Sequence, residues 1–270
     1  MVRALDVRTN VDEFLRSVDQ ARLDQVPQAM AWAINDAVDV AHDKMVEEMR
    51  KTFDRPTDFT LNAIWRTYAD KRTLVAGLQL KDKYGGNDAL PGKIDKGTAA
   101  AAYLRPQIEG GSRRRKAMEA SLRSAGLLPA GWFAVPAREA PLDAYGNVPN
   151  GFVVRMLSDL RSFGENGYRA NRKAGRRKGR KAVNAFFAVR PGSNFNKHLK
   201  PGIYWRLPGR MLVCVFVFVN AVTYKKIFDF YALSERFAVE AFKDTWPNAW
   251  AKALATDRRN DTGRLIRSAA

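Results

Sequence analysis

Cysteine and histidine are scarce in this 270-residue chain, and it has no long apolar run. The single cysteine, Cys214, cannot form an intrachain disulfide, so nothing indicates an oxidising compartment. With two histidines and no Cys/His spacing typical of zinc sites, the sequence predicts neither a metal ion nor a cofactor. The longest apolar run, Met211 to Val219, has nine residues. A membrane-spanning helix needs roughly 20, so we expect no membrane association.

Catalytic signatures are also missing from the sequence. The glycines of "YGGNDALPGK" do not have the spacing of a phosphate-binding loop, and the carboxylates form no obvious acid–base pair. His42 stands between Asp39 and Asp43, and we interpret it as a solvated histidine and not as a metal ligand. We therefore do not expect an enzyme.

Positive charge is abundant, and it is unevenly distributed. The net charge is +18, yet residues 1–60 carry 8 Lys/Arg against 12 Asp/Glu, and residues 61–270 carry 38 against 16. Seven of the ten residues in 172–181 are Lys or Arg. Such a field favours a polyanionic partner, either nucleic acid or an acidic protein surface, and the sequence does not choose between them.

The predicted polyanion contacts come from two basic clusters. They are Arg172, Lys173, Arg176, Arg177, Lys178, Arg180 and Lys181, together with Arg113, Arg114 and Arg115. The tryptophans near arginines have two interpretations, packing in the core or at an oligomer rim, and stacking on bases. Packing is favoured, because most of them lie in apolar segments; they are Trp65, Trp132, Trp205, Trp246 and Trp250.

Helical periodicity marks both ends of the chain. Asn10 and Glu13 predict a capping box and a short helix. A longer helix is predicted from Pro27 to about Asp54, with an apolar stripe at spacings of three and four. A basic helix is predicted from Ser112 to Gly126, another is expected to be capped by Asn150, and a C-terminal helix is expected to break or kink at Pro247.

Strand patterns occupy most of the remaining segments. A hairpin is predicted around Asp70, and further strands in "GWFAVP", "AFFAVRPG", "GIYWRLPG" and "RMLVCVFVFVN". The last of these is apolar at nearly every position, which indicates a strand covered on both faces. A neighbouring subunit could supply part of that cover, so we predict a subunit interface at Met211, Val213, Val215, Val217 and Val219.

The predicted fold class is α+β, with the long N-terminal helix and the C-terminal helix packed on a mostly antiparallel sheet. We treat the chain as one domain over residues 1–270, built from helices and a hairpin in 1–82, and strands plus the C-terminal helix in 201–256. A large loop-rich insertion occupies 83–200 and contains a basic loop at 164–182, and 257–270 is a tail.

Three segments resemble viral structural proteins. Residues 26–82, from "VPQAMAWAIN" with its core Ala31, Ala33, Ile34 and Asn35 through the basic hairpin to "LQLKD", and "VFVFVNAVTYKKIFDFYALSERFAVEAF" are similar to minor tail protein Z, the tail-completion protein of lambda-like bacteriophages. The middle segment, from "YLRPQIEGG" to "APLDAYGN", resembles larger phage and prophage tail proteins of the same kind. The resemblance implies a non-enzymatic virion protein of the neck or upper tail, made in the host cytoplasm. By the same analogy it implies a six- or twelve-fold ring.

The resemblance also implies partners. They are other copies of the chain, neighbouring neck or tail proteins such as portal, adaptor or tail tube, and genomic DNA in the channel. An acidic N-terminal region and a basic remainder could meet head to tail and close such a ring. A free basic nucleic-acid-binding protein is the alternative that the charge leaves open.

Overall fold

The computed structural model describes residues 25–82, 99–162, 185–194 and 196–256. The fold is α+β, as predicted, with a long helix near each end of the described chain and antiparallel sheets between them. Three predicted segments lie outside the described residues. They are the helix after Asn10, the loop at 83–97 and the basic loop at 164–182.

The chain divides into two compact units, which are described separately here. The terminal unit comprises 1–109 and 226–270, and the inserted unit comprises 110–225. The sequence analysis placed the insertion at 83–200 and joined the strands after 201 to the C-terminal helix. In the structure those strands belong to the inserted unit, because they pair with strands from before residue 200.

The terminal unit is built on two long helices. Its described elements are α1 (Val26–Thr52), α2 (Asp58–Leu61), β1 (Ile64–Thr67), β2 (Gly77–Leu80), α3 (Ala100–Glu109) and α6 (Phe230–Ala255). The prediction of α1 is confirmed at both ends, since Pro27 lies in its first turn and the helix stops before Pro56.

Small side chains let α1 and α6 approach closely. Ala33 and Ala37 of α1 are buried against Ala241 and Ala249 of α6. The hydroxyl of Thr245 in α6 donates a 2.9 Å hydrogen bond to the carbonyl oxygen of Ala33. The alanine-rich pattern of α1 is therefore a packing surface for α6.

The helix α6 runs through Pro247 without a break. It continues to Ala255, and Pro247 itself is exposed. A proline removes one donor from the helical ladder, and here the carbonyl that loses its partner lies on a solvent-facing turn. The prediction of a break is therefore wrong, and only a bend remains compatible with the continuous helix.

The inserted unit is a four-stranded antiparallel sheet with helices against one face. Its described elements are β3 (Gly111–Ser112), α4 (Ala117–Ser124), β4 (Phe133–Pro136), α5 (Asn150–Asp159), β5 (Ala185–Val189), β6 (Gly202–Arg206), a 3₁₀ turn (Pro208–Arg210), β7 (Leu212–Val219) and β8 (Thr223–Tyr224). The sheet order is β4-β7-β6-β5, and β3 pairs with β8. The helix predicted from Ser112 begins later, at Ala117, because Ser112 is part of β3.

A β-bulge interrupts the alternation of side chains in β7. Ile203 of β6 pairs with Phe216, whereas the next residue, Tyr204, pairs with Cys214. Val215 is therefore the extra residue, and Val215 and Phe216 are both buried in the core under α4 and α5. The bulge shifts the alternation by one residue, so two adjacent residues enter the same core.

The bulge corrects the predicted subunit interface. Val215 is fully buried in the core of its own unit, so the prediction is wrong for Val215. Val213 packs against the same core and has only part of its side chain available to a partner. Met211 is 57% exposed, and Val217 and Val219 are half-buried on the opposite face. The strand is thus covered on one face by its own unit and only partly on the other.

Gly202 supports a testable prediction about this sheet. A Cβ atom there would clash with the carbonyl oxygen of Phe216 and lie 3.3 Å from its carbonyl carbon. Because both are backbone atoms of the central strand, we expect Gly202→Ala to destabilise the inserted unit by about 1–3 kcal/mol. The free energy of unfolding, measured by urea titration of both proteins, tests this expectation.

A matched control lies in the same unit. A Cβ at Gly151, in α5, would meet nothing within 4 Å. Gly151→Ala should leave the unit as stable as before, or stabilise it by up to about 1 kcal/mol. Equal stability of the two variants would contradict the close approach at Gly202.

Candidate interaction site

The hairpin of β1 and β2 is fixed on α1 by two polar side chains one helical turn apart. The Asn35 amide nitrogen donates to the carbonyl oxygen of Ala69 at 3.0 Å, and the Ala69 N–H donates to the Asn35 oxygen at 2.7 Å. This reciprocal pair replaces the backbone partner that Ala69 lacks beyond the end of β1. The alanine-rich pattern that contains Asn35 therefore has a structural role in holding the hairpin.

Asp39 provides the second attachment. Its carboxylate accepts a 2.9 Å hydrogen bond from the Arg66 guanidinium and a 2.8 Å hydrogen bond from the Tyr68 hydroxyl. The bond to Asp39 raises the pKa of Tyr68, because the carboxylate favours the protonated phenol. Both long hairpin side chains are thereby directed towards α1.

The turn of the hairpin is closed by Asp70, as predicted. Its carboxylate accepts hydrogen bonds from the N–H groups of Arg72 at 2.6 Å and Thr73 at 2.8 Å. The bonds from Thr73 and then Arg72 lower the pKa of Asp70. The strands on the two sides of this turn, β1 and β2, are antiparallel, and their paired residues run from Ile64 with Leu80 to Thr67 with Gly77.

The hairpin exposes large apolar side chains despite its firm attachment. Trp65 is 42% exposed, Tyr68 53% and Val75 52%. We call these three residues the hairpin face. A two-stranded hairpin needs further packing to be stable, and α1 supplies it on one side only. Exposed aromatic residues on a rigid support are typical of protein–protein contacts.

Arg113 does not have the role predicted for it. Its guanidinium forms a bidentate ion pair with Glu119, at 2.5 Å from Nη2 to Oε1 and 2.9 Å from Nη1 to Oε2. The side chain of Arg113 is 10% exposed and that of Glu119 is 0% exposed. Arg113 is therefore committed to an internal partner, and its assignment as a polyanion contact is wrong.

Glu119 connects helix α4 to the edge strand β4. Besides Arg113, its carboxylate accepts hydrogen bonds from the N–H groups of Lys116 at 2.8 Å and Ala134 at 2.9 Å. Burial would raise the pKa of Glu119, but the hydrogen bonds from Arg113 and the two backbone groups outweigh it, and the pKa lies below its usual range. The carboxylate thus closes one open position on the β4 edge.

The Glu119 site has no clear signal in the sequence. A capping box begins with Ser, Thr, Asp or Asn, whereas the residue three positions before Glu119 is Lys116, and no apolar run follows. Nothing in the sequence indicates that Arg113 would turn back to the same carboxylate.

The other predicted basic contacts divide into two groups. Arg114 and Arg115 are exposed, next to the buried ion pair. The cluster 172–181 lies outside the described residues. Among the described residues, Arg114 and Arg115 are therefore the predicted contacts that are accessible.

The aromatic residues mostly pack on one another. Trp205 stacks on Phe186 with ring centres 5.6 Å apart, and Trp246 stacks on Trp250 at 5.9 Å. Trp132 packs against the core of the inserted unit. These contacts favour the packing interpretation for all of them except Trp65, which belongs to the hairpin face.

No group of three or more potential metal ligands occurs among the residues that the structure describes. His42 lies 3.0 Å from the carboxylate of Asp43, its neighbour on α1, but its side chain is only 18% exposed, so the interpretation of a solvated histidine is not confirmed. In the same described part of the chain, no helix is both long and apolar enough to cross a membrane.

The position of Cys214 inside an apolar run predicts full burial, but the side chain is half-buried. Its thiol lies 3.5 Å from the carbonyl oxygen of Phe216. Burial raises the pKa of the Cys214 thiol by more than its hydrogen bonds to Tyr204 and Phe216 lower it. The thiolate, which is the reactive form, is therefore disfavoured at neutral pH.

We accordingly expect slow labelling of Cys214 by thiol reagents at pH 7, with a rate that increases at higher pH. Cys214→Ala should cost on the order of 1 kcal/mol of stability, because part of a small apolar side chain is lost. Labelling as fast as that of a free thiol in the folded protein would contradict this.

Comparisons with protein-family models, with curated proteins and with solved structures found no match for the chain. The class of protein therefore has to be inferred from the sites described above.

Proposed function

We propose that the chain is a structural protein of a tailed-bacteriophage virion. In this proposal it forms part of the neck or upper tail, as a head–tail connector or tail-completion component. Several copies form a ring around the DNA channel, in contact with neighbouring neck or tail proteins. The proposal includes no enzymatic activity.

The hairpin face is the observation that carries the proposal. Trp65, Tyr68 and Val75 are 42–53% exposed, while Asn35 and Asp39 hold their hairpin on a long helix. A rigid surface of this kind loses little conformational entropy when a partner covers it. That is a favourable property for a permanent structural contact.

Charge and sequence support the same proposal. The net charge of +18 suits a protein placed near packaged DNA, since backbone contacts of this kind need no sequence recognition. The segment Ala31–Asn35, on which the resemblance to minor tail protein Z partly depends, is the one that packs on α6 and holds the hairpin.

The decisive experiment is to count the protein in purified virions. Quantitative mass spectrometry should find a fixed copy number per particle that corresponds to a ring, six or twelve. Absence from washed particles, or a single copy per particle, would overturn the proposal.

Variants of the hairpin face test the observation itself. Trp65→Ser should reduce incorporation into particles strongly, because large buried aromatics dominate protein interfaces. The matched control is Leu142→Ser, an exposed apolar residue of the inserted unit, 51% exposed. Both proteins should stay folded, and normal incorporation of the hairpin variant would exclude this face as the contact.

A free nucleic-acid-binding protein is the second candidate, and the net charge of +18 favours it. Such a protein would bind DNA with a steep salt dependence and would not remain with purified virions.

A further inference from the structure

An open groove lies along β2 in the terminal unit. Its volume is about 340 Å³, and its walls come from β2, α3 and the first turns of α6. The apolar lining includes Val38, Leu78, Ile108, Phe230 and Ala238. The charged residues at its rim are Asp82, Arg105 and Glu109, so the rim carries two carboxylates and one guanidinium.

The β2 side of the groove has unpaired backbone groups. The register pairs Trp65 with Gln79 and Thr67 with Gly77, and the N–H of Lys81 bonds to the carbonyl of Ala63. In an antiparallel pair, hydrogen-bonded residues alternate, so the N–H and C=O groups of Leu78 and Leu80 point away from β1. Among the described residues they have no hydrogen-bond partner.

Such an edge is suited to one kind of ligand, an extended peptide that adds a strand. The length of the site can be estimated. The N–H of Ala101 in α3 bonds to Lys81 at one end of β2, and Glu109 lies eight residues further along the helix, about 12 Å away. That distance matches about four extended residues.

The residues after α6 contain a segment with matching chemistry. Arg264, Leu265, Ile266 and Arg267 are four consecutive residues, two apolar ones flanked by arginines. We propose that this segment, from a neighbouring copy of the chain, adds as a strand to the free edge of β2. The apolar pair enters the groove, and one arginine lies near the rim carboxylate of Asp82, since the Glu109 carboxylate is already paired with Arg105 at 3.8 Å.

Chain length indicates that the segment comes from another copy. Ala238 is the groove residue nearest to the end of α6, and Thr256 follows that end. The two are 18 residues apart, which corresponds to about 27 Å along a helix. Leu265 is nine residues beyond Thr256 and reaches at most about 32 Å when fully extended. A copy would therefore have to extend the connecting residues almost fully to fill its own groove, whereas a neighbouring copy meets no such limit.

A contact of this kind is head to tail, since a tail binds a different surface on the next copy. Repetition of a head-to-tail contact closes a ring when the rotation permits. This contact would be one of those that hold the proposed ring together. It rests on the proposed function in one respect, which is that several copies of the chain associate. It needs neither DNA nor a virion.

Two full-length variants provide the test. The tail variant, Leu265→Asp with Ile266→Asp, retains a normal groove. The groove variant, Ser234→Trp, fills the groove and retains a normal tail. The control is Ala232→Trp, which adds the same side chain at an exposed position of α6 outside the groove.

Sedimentation velocity should show concentration-dependent association of the wild type and of the control. Each of the other variants alone should associate at least about a hundredfold more weakly, because two buried aliphatic side chains are lost or excluded. An equimolar mixture of the tail and groove variants should recover a dimer, since it contains one intact tail and one intact groove. No recovery, or normal association of the tail variant alone, would overturn the inference.

Amide hydrogen exchange gives a readout that needs no substitution. The N–H groups of Leu78 and Leu80 should exchange fast in dilute protein and become protected on association, while those of Gln79 and Trp65 are protected in both states. Protection of Leu78 and Leu80 already in the monomer would mean that the chain's own residues fill the groove. That result, or a wild type that never associates, refutes the exchange between copies.

The two proposals can fail separately. If virions carry a ring of the tail variant, the ring stands and the strand addition is wrong. If virions lack the wild-type protein while the mixture experiment succeeds, the strand addition stands and the virion function is wrong.

Discussion

Replacing Glu119 by alanine is expected to destabilise the inserted unit by about 3–5 kcal/mol. The variant leaves the Arg113 guanidinium, 10% exposed, without its counter-charge, and it removes the acceptor for the N–H groups of Lys116 and Ala134. Breaking a buried pair from one side is costly because the remaining charge stays desolvated. Glu119→Gln keeps one acceptor oxygen and should cost less.

The measurement has to separate the two units, because one unfolding transition need not describe both. Two of the six tryptophans, Trp132 and Trp205, lie in the inserted unit and the other four lie in the terminal unit, so fluorescence during urea unfolding should show one transition that shifts in the variant and one that does not. Glu139→Ala, an exposed carboxylate of the same unit, is the control and should change stability by less than about 0.5 kcal/mol. An unchanged midpoint for Glu119→Ala would show that the pair contributes nothing.

The same carboxylate predicts a pH dependence. The pKa of Glu119 is lower in the folded protein than its ordinary value of 4.5. The unfolded chain therefore binds a proton first as pH falls, so the contribution of the pair is fully present above about pH 4.5 and is lost as pH falls through the folded pKa. The Glu119→Ala variant should lack this part of the acid sensitivity.

The elements that could be predicted from sequence are those fixed by local signals. Pro27 and Pro56 bracket α1, Asp70 marks the hairpin turn, and the strand compositions of β4 to β7 locate the larger sheet. Each depends on the conformational preferences of a few adjacent residues. These preferences act before any tertiary contact forms.

The elements that were missed depend on contacts between distant residues. Helix α3 contains Pro106 at an interior position, which argues against a helix locally, yet the helix forms with Leu104 and Ile108 buried against the terminal core. The bulge at Val215 is set by the register of β6 against β7. Periodicity within β7 alone could not reveal which of its residues share a face.

The site predictions that failed also depended on contacts between residues that are not adjacent in sequence. Arg113 looks like its neighbours Arg114 and Arg115 in sequence, and only its position beside Glu119 turns it inward. A count of charges therefore could not separate internal ion pairs from accessible cations. The hairpin face was not predicted either, because exposure of Trp65 depends on which side of β1 packs on α1.

The basic cluster 172–181 should dominate any binding to DNA. Replacing Arg172, Lys173, Arg176, Arg177, Lys178, Arg180 and Lys181 by Ser or Gln removes seven positive charges. If each contacts one phosphate, the slope of log K against log salt should fall by up to about six, since each contact contributes about 0.9. Replacing Arg114 and Arg115 in the same way should lower the slope by no more than about two.

The salt titration distinguishes the partners that the sequence left open. Because all seven replaced residues are Lys or Arg, which rarely belong to a core, the variant should keep the unfolding midpoints of the wild type. A large fall in slope identifies DNA as the partner. An unchanged slope with poor incorporation into particles indicates an acidic protein surface, because the charges are then needed only during assembly. If the variant binds DNA with the wild-type slope and also enters particles at the normal rate, the cluster contacts neither partner and the functional role proposed for it is wrong.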